Sequence, residues 1–410
     1  MDKFECLVCG PVASRDPYSP FCPGCAEPLF LVPATRSGGK IIHEDRPLAL
    51  EMFADFLPLD GIDPDLSLGE GMTPLIRLER AGAAMGLPAV YAKNEAQNPT
   101  GSFKDRGTAV AVQKAVSLGF KRIGTVSTGN MAASTAAYGA RAGLETFVLL
   151  KEGTAVTSLK AAGIYGPRLI AVEGDYGSLF RASLDVGKRL GISFMNSIDP
   201  YRMEGYKLTA FEIYLQMGRR SPRFLFVPLS SGGHLLGLIR AFDDLEREKL
   251  ITAYPTFVGV QAQGCAPLAA AFAAGLDRYE RPAEVRTIAH AISNPTPPAG
   301  NAVLRMIRDR KGILCAVTDA EMLEAQRELA AAEGLFCQPE SATSLAALKK
   351  LAADGRIVEK SGDAVLVLTG SGLKTPHLLE SVPVEVHKIP LSGLESCLSR
   401  LIRSLANGLI

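Results

Sequence analysis

The stretch Asn98-Pro-Thr-Gly-Ser-Phe-Lys-Asp-Arg-Gly107 is the part of this 410-residue chain that decides its fold. Lys104 follows a turn of small residues, so hydroxyl groups and backbone N–H groups surround its amine. Such surroundings suit a lysine that stays nucleophilic and forms a Schiff base. Taken alone, the stretch also fits an ordinary loop that leads into a helix and carries a solvated lysine. The choice between these two interpretations depends on the rest of the chain.

Three other segments share one pattern, in which an apolar, strand-like run ends in a turn of small polar residues. They are Ser127-Thr-Gly-Asn-Met-Ala-Ala-Ser134, Ser230-Ser-Gly-Gly-His234 and Thr369-Gly-Ser-Gly-Leu-Lys374. Backbone N–H groups in such turns and at helix N-termini bind carboxylates and phosphates. A plain helix cap or a hydrogen-bonded turn hydroxyl is the alternative for each segment taken alone. Their occurrence together favours a ligand site.

In this order and with these spacings, the motifs resemble the pyridoxal-phosphate (PLP) enzymes of the tryptophan-synthase-β structural type. Gly69-Glu-Gly-Met-Thr-Pro-Leu75, the stretch around Lys104, Asn196-Ser-Ile-Asp-Pro-Tyr-Arg-Met-Glu-Gly205 and Leu368-Thr-Gly-Ser-Gly-Leu-Lys374 more narrowly resemble the threonine synthase family. The resemblance extends from about residue 50 to about residue 380. It implies an α/β fold of two doubly wound lobes, which is fold type II of the PLP enzymes.

The same resemblance implies a role for each residue of the site. Lys104 would hold PLP as a Schiff base and then remove the Cα proton of the substrate. The implied cofactor-binding set is Lys104, Asn130 at the phenolic oxygen, Ser230, Ser231, Gly232, Gly233 and His234 at the phosphate, and Thr369 at the ring nitrogen. The implied substrate-binding set is Ser127, Thr128 and Gly129 for the carboxylate, and Asn196, Ser197 and Arg202 for a substrate phosphate. A surface arginine in a loop is the alternative for Arg202.

Departures from the family pattern bear on the substrate. Ser230-Ser-Gly-Gly-His234 stands where the family reads Gly-Asn-x-Gly-Asn, and Ser371 stands where a histidine often follows the Thr-Gly pair. Residues 52–59 and 293–298 resemble cysteate synthase, which makes L-cysteate from O-phospho-L-serine and sulfite for coenzyme M. We therefore predict a cysteate synthase. The alternatives are a threonine synthase that uses O-phospho-L-homoserine and water, and a non-catalytic sensor of phospho-amino acids, which would not need Lys104.

Composition bounds the partners and the location. The net charge is +1, and no long run of one sign forms a footprint for nucleic acid. No apolar stretch reaches the roughly 18 residues of a membrane span, and the N-terminus lacks the apolar core of a signal peptide. We therefore expect a cytoplasmic enzyme with a small-molecule substrate and with no nucleic-acid or membrane partner. The amphipathic tail 391–410 is expected to pack on the body of the protein or on a second subunit, and in the second case the protein would form a homo-oligomer.

The cysteines fall into two groups. Cys6-x2-Cys9 and Cys22-x2-Cys25 have the spacing of a tetrahedral zinc site in a small ribbon. Four free thiols, or a ribbon that has lost its metal, are the alternatives. Threonine synthases often begin with such an element, which favours a structural role for the zinc. The remaining cysteines lie singly in apolar or helical surroundings and are interpreted as core thiols: Cys265, Cys315, Cys337 and Cys397.

Alternating strand and helix patterns predict the organisation of the chain. The predicted strands are 89–93, 122–126, 146–150, 168–172, 224–228, 256–260 and 364–368, and the predicted helices are 104–118, 132–142, 176–190, 208–217, 235–247 and 320–333. Continuous apolar strands fit parallel sheets covered on both faces, with the ligand site at their carboxyl ends. We predict a ribbon-like element at 1–30, an N-terminal lobe at 31–205, a C-terminal lobe at 206–385 and a C-terminal helix at 386–410.

Overall fold

The computed structural model describes residues 2–33, 41–87, 89–154, 156–358, 362–375 and 384–406. It divides into two compact units, Met1–Lys374 and Thr375–Ile410. Among the described residues, the first unit contains three sheets and the second contains one α-helix. None of the helices within the described ranges is long and apolar enough to cross a membrane.

The strands and α-helices alternate through most of the chain. In chain order the strands are β1 (Phe4–Cys6), β2 (Gly10–Val12), β3 (Leu29–Leu31), β4 (Leu75–Arg77), β5 (Val90–Asn94), β6 (Arg122–Val126), β7 (Glu145–Lys151), β8 (Arg168–Val172), β9 (Ile192–Phe194), β10 (Phe224–Pro228), β11 (Thr256–Ala262), β12 (Ile313–Val317) and β13 (Ala364–Leu368). The α-helices are α1 (Ala49–Met52), α2 (Glu79–Ala84), α3 (Lys104–Ser117), α4 (Asn130–Arg141), α5 (Val156–Gly163), α6 (Tyr176–Leu190), α7 (Pro200–Gln216), α8 (Gly233–Arg247), α9 (Pro267–Ala273), α10 (Gly300–Asp309), α11 (Asp319–Glu333), α12 (Pro339–Ala353) and α13 (Leu394–Ala406).

Two of the sheets belong to the α/β body. One has four parallel strands in the order β8-β7-β6-β9. The other has six strands in the order β12-β11-β10-β13-β5-β4, and β4 alone runs antiparallel to its neighbour. This mixture of parallel strands and intervening helices is the α/β fold predicted from the sequence.

The division between the two sheets differs from the predicted boundary at 205/206. Strands β4 and β5 come early in the chain, yet they belong to the six-stranded sheet with the strands of the second lobe. The reason is the parallel pairing of β5 with β13, in register from Val90↔Ala364 to Asn94↔Leu368. This pairing buries Val90 against the second lobe. It also brings the segment that leads to Lys104 beside the end of β13.

Helix α7 begins earlier than the predicted 208–217. The Asp199 carboxylate accepts the backbone N–H groups of Tyr201 and Arg202, both at 3.0 Å, and Pro200 occupies the first helical position. Such an N-cap followed by proline is a strong helix start. Arg202 therefore lies in the first turn of a helix and is fully buried, so the alternative of a surface arginine in a loop is wrong.

Strand β8 is less buried than predicted. It ends the four-stranded sheet, and four of its five residues are exposed. The strand pattern of residues 168–172 was correct, but an edge strand has only one paired neighbour and is less covered than a central one.

The N-terminal ribbon is a three-stranded antiparallel sheet in the order β2-β1-β3. Phe4 and Leu29 are buried in the same core cluster as residues of α3, α7 and α8. The ribbon thus packs on the α/β body. In the second unit, α13 exposes Leu394, Leu398 and Ile402. That the tail packs on the body or on a second subunit stays a prediction.

Candidate active site

Four loops at the carboxyl ends of β5, β6, β10 and β13 meet in one place. The backbone N–H of Phe103 donates to the carbonyl of Thr369 at 3.0 Å, and the N–H of Ser371 donates to the carbonyl of Gly101 at 2.9 Å. The ring of Phe103 in turn stacks on His234, which follows β10. A Cβ on Gly370 would also lie 3.3 Å from Nδ2 of Asn130, which follows β6, so the four loops converge as predicted.

Lys104 is the first residue of α3 and is partly buried. Its Nζ lies 4.2 Å from the centroid of the Phe103 ring and 5.8 Å from that of Tyr206. Burial, and after it the positive charge of Arg202, lowers the pKa of Lys104 to about 7. Near neutral pH a large fraction of this amine is therefore unprotonated. This is the state in which a lysine is nucleophilic and can also serve as a base.

His234 lies beside Lys104 at the start of α8, and its side chain is only 7% exposed. Its ring is stacked on Phe103 with centroids 3.9 Å apart, and Tyr206 meets it edge-on at 5.4 Å. Neither ring nitrogen has a hydrogen-bond partner among the described residues. Burial, with the charge of Lys104 next, holds the pKa of His234 well below its usual value. The site thus contains a neutral, unpaired imidazole, and buried polar atoms without partners are typical of ligand contacts.

The turn before His234 is a tight glycine turn, and phosphate binding there stays a prediction. Gly232 has a φ of +99°, and a Cβ there would lie 2.8 Å from Val303 and 3.0 Å from Ala299. The carbonyl of Ser231 accepts the N–H of Ala299 at 3.1 Å, and its hydroxyl accepts the amide of Asn294 at 3.0 Å. These contacts fix a glycine turn that leads into the N-terminus of α8. Ser230 is the partly buried first residue of this turn, and Gly233 is buried.

Asn130 and Thr369 are both hydrogen-bonded to the start of α12. Asn130 Nδ2 donates to Gln338 Oε1 at 2.6 Å, and the hydroxyls of Thr369 and Ser341 are 2.9 Å apart. Gly370 fits between them, because a Cβ there would lie 2.3 Å from Gln338 Oε1. The sequence interpretation missed Gln338 and Ser341. A helix start was readable there, since Pro339 follows Gln338 at the first position of α12.

Ser127, Thr128 and Gly129 form the turn between β6 and α4. Thr128 and Gly129 are exposed, while Ser127 is partly buried and its hydroxyl accepts the N–H of Gly129 at 3.3 Å. The N-terminus of α4 follows directly at Asn130. The turn is therefore open to a carboxylate, although that role stays a prediction.

The predicted phosphate residues differ in how much of their capacity is already used. Asn196 is buried, and its amide accepts the N–H of Val126 at 2.8 Å and donates to Ser183 at 3.2 Å. It braces the end of β6. Ser197 is also buried, but its hydroxyl has no partner in the described ranges. Its carbonyl faces Gly233, where a Cβ would approach to 2.4 Å.

Arg202 is buried completely. Its Nε donates to the carbonyl of Met195 at 3.1 Å, Nη1 to Thr108 at 2.7 Å and Nη2 to Thr135 at 3.1 Å. Three of the five N–H donors of the guanidinium are thus used, all on neutral oxygens. No acidic side chain of the described residues forms an ion pair with it. Because two guanidinium N–H groups have no partner among the described residues, an anionic ligand would suit this position.

Comparisons with known proteins agree with this geometry. Residues 66–370 match the family model described as "Pyridoxal-phosphate dependent enzyme". A threonine synthase of Methanocaldococcus jannaschii is 37% identical over 381 residues, which cover 91% of this chain and 93% of the relative. A threonine synthase of Halalkalibacterium halodurans is 39% identical, over 80% of this chain and 90% of the relative. The chain belongs to the threonine synthase family of PLP enzymes.

The fold agrees with this assignment. Diaminopropionate ammonia lyase from Escherichia coli matches with a TM-score of 0.65 and 16% identity, over 77% of this chain and 88% of that one. At this identity the match concerns the fold, and it supports fold type II for this member of the threonine synthase family. PLP is its cofactor.

The residues present fit PLP. The site offers an amine with a pKa near 7, an unpaired imidazole at His234 and a glycine turn in front of α8. Ser102, two residues before Lys104, adds a buried hydroxyl without a partner in the part of the chain described. The individual contacts to the cofactor stay predictions.

The four N-terminal cysteines fit a zinc ion. The Sγ atoms of Cys6, Cys9, Cys22 and Cys25 all lie within 4.8 Å of one another. Ligands of a tetrahedral zinc with Zn–S distances of about 2.3 Å are about 3.8 Å apart, so the cluster needs little adjustment. The members of the other group predicted as core thiols are buried, except for the partly buried Cys315.

Behind Lys104 lies a buried ionic network that the sequence interpretation also missed. Arg106 donates to both oxygens of Glu95 and both oxygens of Glu212, and Lys93 donates to Glu212 at 2.6 Å. All four side chains are fully buried. Burial alone would raise the pKa of Glu212, but the charges of Arg106 and Lys93 outweigh it and hold the pKa at about 2. The network ties α3, which carries Lys104, to α7 and β5.

Proposed function

We propose that this chain is a threonine synthase, which converts O-phospho-L-homoserine and water to L-threonine and phosphate. The observation that carries the proposal is one site that joins Lys104 to the fully buried Arg202, where burial, and after it the charge of Arg202, lowers the pKa of the lysine to about 7. Relatives named threonine synthase, which match 80% to 93% of this chain, favour this substrate. The prediction of a cysteate synthase is not confirmed, and the threonine synthase alternative fits the relatives better.

Lys104 has the properties that the reaction needs. Bound PLP supplies an electron sink for the negative charge that develops at the substrate Cα. The reaction moves protons at several carbons, since phosphate leaves from Cγ and a hydroxyl is added at Cβ. An amine with a pKa of about 7 can take up and return such protons near neutral pH, because both of its protonation states are populated. Lys104 is proposed as this base.

The ring of the cofactor would be oriented by residues that α12 already holds. Asn130 would meet the phenolic oxygen, and its orientation is set by Gln338. Thr369 would face the ring nitrogen, and its hydroxyl is held by Ser341. A hydroxyl at this place, unlike a carboxylate, would leave the ring nitrogen largely unprotonated. Elimination and replacement are then favoured over transamination.

The substrate phosphate is proposed to bind at Arg202. Two of its N–H donors are unused, and its buried guanidinium lacks an acidic partner in the described residues. Ser197, whose backbone carbonyl lies next to Gly233, has an unpaired hydroxyl in the described residues and would add a donor. Asn196 is proposed to keep the end of β6 in place, since its amide is already hydrogen-bonded there. The turn 127–129 would receive the substrate carboxylate at the N-terminus of α4.

The test is product analysis of two matched reactions. One contains the enzyme with O-phospho-L-homoserine in water, and the other contains it with O-phospho-L-serine and sulfite. We expect threonine and phosphate in the first and no cysteate in the second. Lys104→Ala should abolish turnover, and borohydride followed by peptide mapping should place the pyridoxyl group on Lys104 of the wild type.

The outcomes separate the candidate functions. Cysteate without threonine would identify the chain as a cysteate synthase, in agreement with the departures from the family pattern at Ser230-Ser-Gly-Gly-His234 and Ser371. Labelling of a lysine other than Lys104 would contradict the assigned role of Lys104. A wild type that binds PLP at Lys104 but acts on neither substrate would reject both substrates while leaving the cofactor site intact.

A further inference from the structure

Lys374, although distant in sequence, contacts the turn that leads into Lys104. It ends a short helical turn, Gly372–Lys374, that follows the loop after β13. Its Nζ donates to the carbonyl oxygen of Thr100 at 2.6 Å, across 274 residues of sequence. Its Cδ lies 3.4 Å from the place where a Cβ on Gly101 would be. The side chain thus lies along the turn and binds its first carbonyl.

The backbone N–H and the hydroxyl of Thr100 are both hydrogen-bonded to Asp105. The Asp105 carboxylate accepts the backbone N–H of Thr100 at 2.6 Å and its hydroxyl at 2.6 Å. Asp105 is fully buried and follows Lys104 directly in the chain. All three polar groups of Thr100 are therefore bound, two by an acid next to Lys104 and one by Lys374.

The rest of the turn is fixed to the loop after β13 as well. The carbonyl of Gly101 accepts the N–H of Ser371, and the N–H of Phe103 donates to the carbonyl of Thr369. Lys374 belongs to the same loop. Of these contacts between the loop and the turn, its contact is the one made by a charged side chain. Hydrogen bonds from charged donors are stronger than neutral ones, so its loss would affect the turn more than the loss of a neutral contact.

We propose that Lys374 is a positioning residue of the active site. It holds the carbonyl of Thr100, and with Asp105 it fixes the turn that determines where the Lys104 amine points. The inference rests on the proposed role of Lys104 as the Schiff-base lysine. It adds that the geometry of this lysine depends on a side chain of the second lobe, beyond the β5–β13 pairing itself.

The experiment compares Lys374→Met, Lys374→Arg and a matched control. Methionine keeps much of the stem beside Gly101 but loses the donor, whereas arginine keeps both a stem and donors. Lys350→Met is the control, because Lys350 also donates to a backbone carbonyl, that of Ala316 at 3.1 Å, in another part of the fold. Each holoenzyme is measured for thermal unfolding, visible circular dichroism per bound PLP, kcat and KM with O-phospho-L-homoserine.

For Lys374→Met we expect the visible circular dichroism per bound PLP to fall by at least half. We also expect kcat to fall about tenfold, with KM changed less than about threefold, since the reacting amine is misplaced while the substrate contacts remain. Lys374→Arg should recover most of both signals. Lys350→Met should leave both at the wild-type level, even if it lowers the unfolding temperature.

The dichroism decides the inference separately from the substrate assignment. A wild type with a strong cofactor band but no threonine production would reject the proposed substrate, and the Lys374 variants would still be judged by their cofactor bands. Wild-type dichroism per bound PLP in Lys374→Met, with only a lower unfolding temperature, would show a purely structural role and overturn the inference. Should Lys374→Met fail to fold, a Lys374→Arg variant that folds but does not restore the band would overturn it equally.

Discussion

The imidazole of His234 and the ring of Phe103 are stacked with centroids 3.9 Å apart and planes inclined by 20°. Phe103 immediately precedes Lys104, and His234 follows the glycine turn in front of α8. The stacking therefore joins the segment that carries the reactive amine to the turn predicted to bind the cofactor phosphate. Both nitrogens of this imidazole lack partners among the described residues, so they are free to contact a bound ligand.

This relationship predicts the behaviour of His234→Phe. Phenylalanine preserves the stacking on Phe103 but removes both ring nitrogens, so we expect PLP to bind about tenfold more weakly with little change in the unfolding temperature of the apoenzyme. Absorbance titration with PLP measures the dissociation constant. His290→Phe, which alters an exposed histidine, is the control and should bind PLP as the wild type does. Unchanged affinity in His234→Phe would mean that the imidazole does not contact the cofactor.

The burial of Lys104, and after it the charge of Arg202, predicts a pH dependence. The pKa of Lys104 is lowered to about 7, so the unprotonated amine that reacts with PLP becomes more abundant as the pH rises through 7 and is nearly complete by about pH 8. The rate of PLP incorporation into the apoenzyme should follow this curve. His234 stays neutral throughout this range, because its own pKa lies well below its usual value.

Substitution of Arg202 tests the cause of that midpoint. Arg202→Met removes a positive charge near Lys104, so the midpoint of the incorporation curve should move to higher pH. Arg202→Lys keeps the charge and should leave the midpoint close to that of the wild type, although the weaker fit of an ammonium should still impair use of the phospho substrate. A midpoint unaffected by Arg202→Met would leave burial alone as the cause of the lowered pKa.

The parts of this fold that were predictable from sequence are those encoded by local pattern. Strands such as β6 and β10 are continuous apolar runs with sharp ends, and their bounds were predicted without error. The loop motifs were predicted from residue types that bind anions. Each of these two signals, the apolar run and the loop motif, consists of residues close together in the sequence. They can therefore be detected without knowing which distant residues they contact.

Several of the missed features depend on partners far apart in the chain. Gln338 meets Asn130 across 208 residues, and Glu212 meets Arg106 across 106. Helix α7 was predicted to start at residue 208 but starts at Pro200. The start at Pro200 was nevertheless signalled by Asp199, a capping residue in front of a proline. Membership of β5 in the sheet of the second lobe likewise follows from a non-local pairing.

The ribbon predicts an effect of metal removal on the cofactor site. Glu27 accepts the amide of Asn301 at 2.9 Å, and the carbonyl of Leu7 accepts Arg305 Nη1 at 2.6 Å, so the ribbon holds α10. The residue just before α10, Ala299, donates to the carbonyl of Ser231 in the glycine turn. We expect about one zinc per chain, and its removal by a chelator should lower both the unfolding temperature and the affinity for PLP.

Cys22→Ser should reproduce this effect, while Cys315→Ser, which changes a thiol outside the cluster, should not. Metal content is measured by elemental analysis after purification under reducing conditions. If the protein contains no zinc and Cys22→Ser is as stable as the wild type, the four cysteines are free thiols.

Of the proposed substitutions, we expect the largest loss of stability from one in the buried ionic network around Arg106. Glu212→Gln leaves the charges of Arg106 and Lys93 without one of their two carboxylates in a fully buried site. Removing one partner of a buried ion pair typically costs about 3–5 kcal/mol, because the remaining charge loses its compensation. Urea unfolding of the apoenzyme should show a loss of this size at pH 7. Glu324→Gln is the control, because its partner Lys349 is partly exposed and the pair should contribute at most about 1 kcal/mol. A loss for Glu212→Gln no larger than that of the control would mean that Glu95 alone compensates the two cations.

Because α7, which carries Glu212, also carries Arg202, the destabilised variant should bind the phospho substrate less well before it loses PLP. Measuring KM and PLP affinity on the same samples separates this local effect from general unfolding.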